Sequence, residues 1–205
     1  GLHCHLGSQI FETQPYENAI KITLAFAAQM RKLGFSLLEL STGGGFAISY
    51  TRSEEPPPIS TYASALTSAL QRECEELGFD KPTLVIEPGR AIIGPTGIAL
   101  YAVGSRKAIP NVRTYISVDG GMGDNIRPAL YQASYEAVVA NRMLEPNLER
   151  VTIAGKFCES GDILVQDVDV PATEPGDLIA IPASGAYCVP MASNYNMATR
   201  PAIIM

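Results

Sequence analysis

Three apolar runs in the first half of the chain each end in a cluster of small or charged residues: HCHLGS at 3–8, STGGGF at 41–46 and EPGR at 87–90. Between them lie two longer stretches, PYENAIKITLAFAAQMRKLGF and ISTYASALTSALQRECEELGF. Both place apolar residues at helical spacing and stop at a glycine, Gly34 and Gly78, and Pro15 stands near the start of the first. The order is strand, helix, strand, helix, strand. Parallel strands need such crossovers, and strands covered on both faces are apolar throughout, so this half predicts a parallel sheet or barrel. In a TIM-type barrel the C-terminal strand ends build the active site, often with a phosphate site after the last two strands.

After Gly94 the helical period fades. TGIALYAVGSRKA, RTYISVDGG, YEAVVANRM, ERVTIAGKF, DILVQDVDV and DLIAIPASGAY are short, β-rich and punctuated by Gly, Pro and Asn. They predict an antiparallel β-barrel or sandwich. The expected division is 1–96 for the α/β part and 97–205 for the β domain.

Composition narrows the function classes. Apolar residues make up 46% and charged residues 18%, which is globular. The net charge is −6 and no basic cluster occurs, so neither nucleic acid nor an anionic membrane is an expected partner. No signal peptide or spanning run is present, and the expected location is the cytoplasm. Cys4, Cys74, Cys158 and Cys188 are dispersed without a CxxC pair, which fits free thiols rather than a zinc ribbon or disulfide framework.

The strand-end clusters carry the candidate chemistry. Gly43, Gly44 and Gly45 allow close backbone approach to a phosphate. Ser8 adds a hydroxyl, and Arg90 a rigid, permanently charged fork for phosphate or carboxylate. Each has a plain structural reading: a glycine turn, or an ion pair between Glu87 and Arg90. The weight lies in three such clusters ending three consecutive strands. His3 and His5 stand two apart and would share one face of a strand. Such a pair holds a metal, lies against a flat cofactor, or packs as structure. Metal sites usually recruit further histidines, and this chain has two. The neighbouring glycines and arginine suit a phosphate better than a divalent cation, and no metal is expected.

The β half has its own clusters. VDGGMGDNIRPALY contains Arg127 and Tyr131, GKFCESGD places Cys158 beside Glu159 with Asp162 following, and SGAYCVPMASNYN contributes Tyr187. Turn residues and an unreactive thiol are the bland reading. A cysteine flanked by Glu and followed by Ser-Gly-Asp is polar for a core position, which favours function. No Ser-His-Asp or Cys-His pair is evident.

Taken in order, HCHLGSQ, GGGF, EPGR, VDGGMGDNIRPALY, CESGD and GAY with SNYN resemble the diaminopimelate decarboxylases. These are a branch of the ornithine/diaminopimelate/arginine decarboxylases, which have the alanine-racemase-like fold and depend on pyridoxal 5'-phosphate (PLP). The resemblance spans essentially the whole chain. It implies that 1–96 holds the last three β/α units of a PLP-binding (β/α)8 barrel, followed by the β domain. It implies a homodimer with active sites shared between subunits. It also implies decarboxylation of meso-diaminopimelate to L-lysine and CO2, in lysine biosynthesis.

The same resemblance implies roles. His5 would lie against the cofactor ring, Ser8 and Gly43–Gly45 would hold its phosphate, and Gly89 and Arg90 would be further contacts. Glu87 would bond the ring nitrogen and keep it protonated, improving the electron sink. Arg90, Arg127 and Tyr131 would bind the distal carboxylate, and Glu159 the distal ammonium. Cys158 would be the proton donor, entering with Glu159 from the partner subunit, and Tyr187 would touch cofactor and substrate. Diaminopimelate has two amino-acid ends, and recognising the unreacting one takes a cation and an anion together; Arg127 and Glu159 supply them.

One element of the resemblance is missing. The family's Schiff-base lysine lies on an early barrel strand, and Lys21, Lys32, Lys81, Lys107 and Lys156 do not occupy its motif position. The chain opens on Gly inside an apolar run and reads as an internal piece of a longer protein. That piece is expected to be inactive alone and to expose a broad apolar face. The alternatives are a sister decarboxylase of carboxynorspermidine, arginine or ornithine, a non-catalytic PLP-binding homologue, and a metal hydrolase, which the histidine count disfavours.

Overall fold

Leu2, Leu40 and Leu84 form one row across three parallel strands: β1 (Leu2–His3), β2 (Glu39–Ser41) and β3 (Thr83–Val85), in that sheet order. The row packs against the helices. Alternation then turns the next row, His3, Ser41 and Val85, to the opposite face. This computed structural model describes residues 1–205. The strands are shorter than the apolar runs that predict them, because the chain leaves the ladder where the small-residue clusters begin. The Cys4 amide still donates to the Ser41 carbonyl at 3.0 Å, one step past β1.

Two helices cover the leucine face. Helix α1 (Gln14–Arg31) has a proline in its first turn, Glu17 near its N-terminus and Arg31 in its last turn, matching the helix dipole. It buries Tyr16, Ile20, Leu24 and Ala27. Helix α2 (Ile59–Leu77) buries Tyr62, Leu66, Ala69, Leu70 and Cys74. Gly78 ends it at φ 64°, ψ 45°, the left-handed cap that glycine adopts without strain. Arg31 donates to the Leu77 and Gly78 carbonyls at 3.0 and 2.8 Å, completing the end of α2 from α1. Each fully buried Leu or Ile in this core contributes about 1.5–3 kcal/mol.

The chain divides into two compact units, residues 1–48 with 55–92 and residues 49–54 with 93–205. A short helix α3 (Gly89–Ile93) follows β3. The second unit holds β4 (Ala99–Ile109), β5 (Arg113–Val118), a short α4 (Arg127–Tyr131), β6 (Val138–Val139), β7 (Glu149–Ala154), β8 (Ile163–Val170) and β9 (Leu178–Ile181). They form one six-stranded sheet in the order β6-β9-β4-β5-β7-β8. Every pair is antiparallel, as expected, except β5–β7, which is parallel. The long connection carrying α4 and β6 returns the chain in the same direction, which a tight turn cannot do. Ile116, Val151, Ile153, Leu164, Ile179 and Ile181 fill the core. No helix is long and apolar enough to cross a membrane.

Candidate active site

Glu87 follows β3 by two residues and so points to the same face as Val85, His3 and Ser41. Its Oε1 lies 3.1 Å from His3 Nε2 and accepts the Ser41 hydroxyl at 3.1 Å. One carboxylate oxygen is thus braced by residues from the other two strands. His5 Nδ1 accepts the Gly44 amide at 3.2 Å, which fixes the imidazole at the rim and puts the proton of its neutral form on Nε2. Arg90 donates from Nη2 to Ser8 Oγ at 2.9 Å, joining the ends of β1 and β3.

The glycine loop lies between these groups. A Cβ on Gly44 would meet the Glu87 carbonyl oxygen at 2.1 Å. Gly45 has φ +92°, and a Cβ there would meet the Gly7 carbonyl oxygen at 2.4 Å. Both neighbouring loops therefore approach closer than any side chain permits. The Gly43 and Gly44 amides are committed to Ser41 Oγ and His5 Nδ1, so these glycines serve by close approach rather than by donating those N–H groups to an anion. Beneath the loop Tyr16, Phe46 and Tyr62 pack with centroids 5.0–5.9 Å apart. Tyr16 donates to the Gly44 carbonyl at 2.9 Å and Tyr62 to the Ile10 carbonyl at 2.6 Å. Burial, with Tyr62 nearby, pushes the Tyr16 phenol up to about 12, so it remains a donor at neutral pH.

His3 and His5 make separate hydrogen bonds, and no group of three His, Cys, Asp or Glu side chains comes together as a metal-ligand set.

In the β unit, Arg127 begins α4 and is buried, while Tyr131, on the same short helix, is exposed. Arg127 donates to the Tyr135 hydroxyl and lies over the ring of Tyr50. Cys158 is exposed, and its sulfur accepts the Asn196 side-chain amide at 3.3 Å. Glu159 accepts the Tyr195 hydroxyl. That bond is the main reason the Tyr195 phenol is pushed up to about 12. Tyr187 is exposed with φ +66°. The site residues that the sequence reading left unnamed are therefore Tyr195 and Asn196, which hold the Cys-Glu loop, and Tyr50 and Tyr135, which hold Arg127. SNYN was a signal for the first two. Tyr50 and Tyr135 carry no local signal.

Asp162 is a structural anchor. Its carboxylate accepts the Met122 and Phe157 amides at 2.6 and 2.7 Å, tying the DGGMGD loop to the loop before Cys158. Burial raises its carboxyl above the ordinary range; the two amides pull it down, and Asp124 pushes it further up. The folded pKa then exceeds the unfolded one. Its contribution to stability is complete below the unfolded pKa and is lost as pH rises through the folded value. We predict that raising pH from the carboxylate range to neutrality lowers the melting temperature relative to Asp162→Asn. Calorimetric melts across that range check this; an opposite slope refutes it.

Residues 1–94 match the family model described as pyridoxal-dependent decarboxylase, pyridoxal binding domain. All of this chain aligns with the diaminopimelate decarboxylases of Synechocystis sp., at 48% identity, and Bacillus subtilis, at 47%. The chain belongs to the pyridoxal-dependent decarboxylases. It spans 44% and 47% of those two relatives, about half their length. A solved diaminopimelate decarboxylase from M. jannaschii, in co-complex with L-lysine, matches with TM-score 0.90 and 32% identity, over 98% of this chain and 45% of that one. The matched pyridoxal binding domain thus covers the α/β unit, and the likeness to that solved structure runs on through the β unit.

The residues present fit pyridoxal phosphate. The glycine loop lets the backbone after β1 and β3 close against it, which brings Ser8, Glu87 and Arg90 to one rim. Ser8 and Arg90 bring a hydroxyl and a guanidinium together for a phosphate. Glu87 offers a braced carboxylate for a protonated ring nitrogen, and His5 an exposed imidazole for the ring face.

Proposed function

We propose that this chain supplies the cofactor rim and the substrate-recognising domain of an enzyme that decarboxylates meso-diaminopimelate to L-lysine and CO2. The observation that carries the reading is the bracing of Glu87 by His3 and Ser41 beside the close-packed glycine loop. The whole-length likeness to diaminopimelate decarboxylases supports the choice of substrate.

Bound pyridoxal phosphate supplies the sink for the electron pair released when the carbon–carboxylate bond breaks. Glu87, with Oε1 held by His3 and Ser41, would keep the ring nitrogen protonated. Ser8 and Arg90 would hold the phosphate, with Gly89 and the close-packed loop Gly43–Gly45 beside them, and His5 would lie against the ring. Arg127 and Tyr131, with Arg90, bind the carboxylate at the unreacting end, and Glu159 binds the ammonium there. The Cys158 thiol delivers a proton to the carbon that has lost CO2, and Tyr187 lines the same space. Cys158 and Glu159 act on the partner subunit's site in a homodimer. The setting is cytoplasmic lysine biosynthesis.

The test is CO2 release by the full-length protein loaded with PLP, from meso-diaminopimelate, L-ornithine and L-arginine. Release from diaminopimelate alone is the expected result. Release only from another substrate moves the assignment to a sister decarboxylase. A colourless protein inert on all three refutes it. The isolated 205 residues are expected to release none, because no lysine in them stands at the family's cofactor-bearing position.

A further inference from the structure

Arg127 is 7% exposed, yet its partners are aromatic and phenolic rather than carboxylate. Nη1 donates to the Tyr135 hydroxyl. Cζ lies 4.6 Å from the Tyr50 ring centroid and 5.5 Å from that of Tyr135. The two rings meet edge to face at 5.1 Å and 77°. The Arg127 amide donates to Asn125 Oδ1 at 3.2 Å, so the backbone is fixed as well. Tyr50 sits in a pinned segment. Glu54 Oε2 accepts the Tyr50 and Thr51 amides at 2.6 and 3.0 Å, and Arg52 pairs with Glu136 at 3.1 Å.

Burying a cation is costly unless something compensates it. A carboxylate would compensate fully but would occupy the guanidinium fork. Aromatic faces and one phenol oxygen compensate in part and leave the charge uncancelled. That is the arrangement required of an arginine that must later receive a ligand's carboxylate.

We propose that Tyr50 and Tyr135 are positioning residues that hold Arg127, uncancelled, for the carboxylate at the substrate's unreacting end, and thereby set selectivity for ligands that carry it. This rests on the role given to Arg127 above. L-lysine, the product, keeps that carboxylate, whereas 1,5-diaminopentane lacks it. The two therefore report on the site without turnover.

The experiment uses the full-length PLP-loaded enzyme with Tyr135→Phe, Tyr50→Leu, Tyr50→Phe and Arg127→Ala. Calorimetric affinities for L-lysine and 1,5-diaminopentane are measured alongside kcat and KM. We expect Tyr135→Phe and Tyr50→Leu to weaken L-lysine binding and raise KM by about 10-fold, the scale of one bond to a charged group. The expected kcat stays within about twofold, the sign of an effect confined to binding. Diaminopentane affinity should not move, and Tyr50→Phe, which keeps the ring, should bind L-lysine as the wild type does. If both tyrosine variants bind L-lysine normally while Arg127→Ala does not, the proposal fails and the role of Arg127 stands. If Arg127→Ala binds L-lysine normally, the underlying reading of Arg127 fails. Equal losses for both ligands, with kcat falling too, would mark a structural role and overturn the proposal. Should Tyr50→Leu not fold, Tyr135→Phe decides, since it removes a single oxygen.

Discussion

Glu87→Gln in the full-length enzyme is expected to lower kcat by roughly 10²–10³-fold, the scale for losing one preorganised electrostatic contact at developing charge. The substitution keeps the shape and one acceptor oxygen. His3 Nε2 and the Ser41 hydroxyl, both on Oε1 in the wild type, therefore have a group to bond. What is lost is the negative charge that, on the role proposed for Glu87, keeps a ring nitrogen protonated and so strengthens the draw on the electron pair left by CO2. The pair of Ser8 and Arg90, proposed to hold the phosphate, is untouched, so PLP retention should be near normal. Steady-state rates with saturating diaminopimelate, beside the absorbance of bound cofactor, separate the two. A variant that keeps PLP and turns over within a few-fold of wild type would refute the role of Glu87.

The same residues show how much could be read in the sequence. HCHLGS, STGGGF and EPGR were legible as one rim because alternating helices and apolar strands force parallel order, and parallel order puts all strand ends together. The shared face of His3, Ser41 and Glu87 follows from period two and register. What could not be read is pairing across long separations. Strand alternation gives no direction, so the antiparallel expectation missed the parallel pairing of β5 with β7. No period links Tyr50 to Arg127, or Tyr16 to Gly44. These contacts exist because distant segments converge, and residues 49–54 leave the α/β unit to join the β unit. The functional types were visible one by one; the residues that aim them were not.

Gly44→Ala carries the second large effect, on structure before chemistry. The new methyl would lie 2.1 Å from the Glu87 carbonyl oxygen and 3.1 Å from its carbon. Both are backbone atoms, so no rotamer relieves the contact. The β2 and β3 loops must part, and the bond from the Glu87 amide to the Gly43 carbonyl, 2.8 Å, sits on that seam. The Tyr16 bond to the Gly44 carbonyl is strained with it. Overpacking of this kind costs about 3 kcal/mol, and Glu87 and His5 would be displaced from the rim. The full-length variant should melt at lower temperature and lose PLP on dialysis, followed by absorbance. Gly89→Ala is the matched control, because a Cβ there meets nothing within 4 Å and the fold should keep its melting temperature. If Gly44→Ala melts and retains PLP like the wild type, the close approach of the loops is not what shapes this rim.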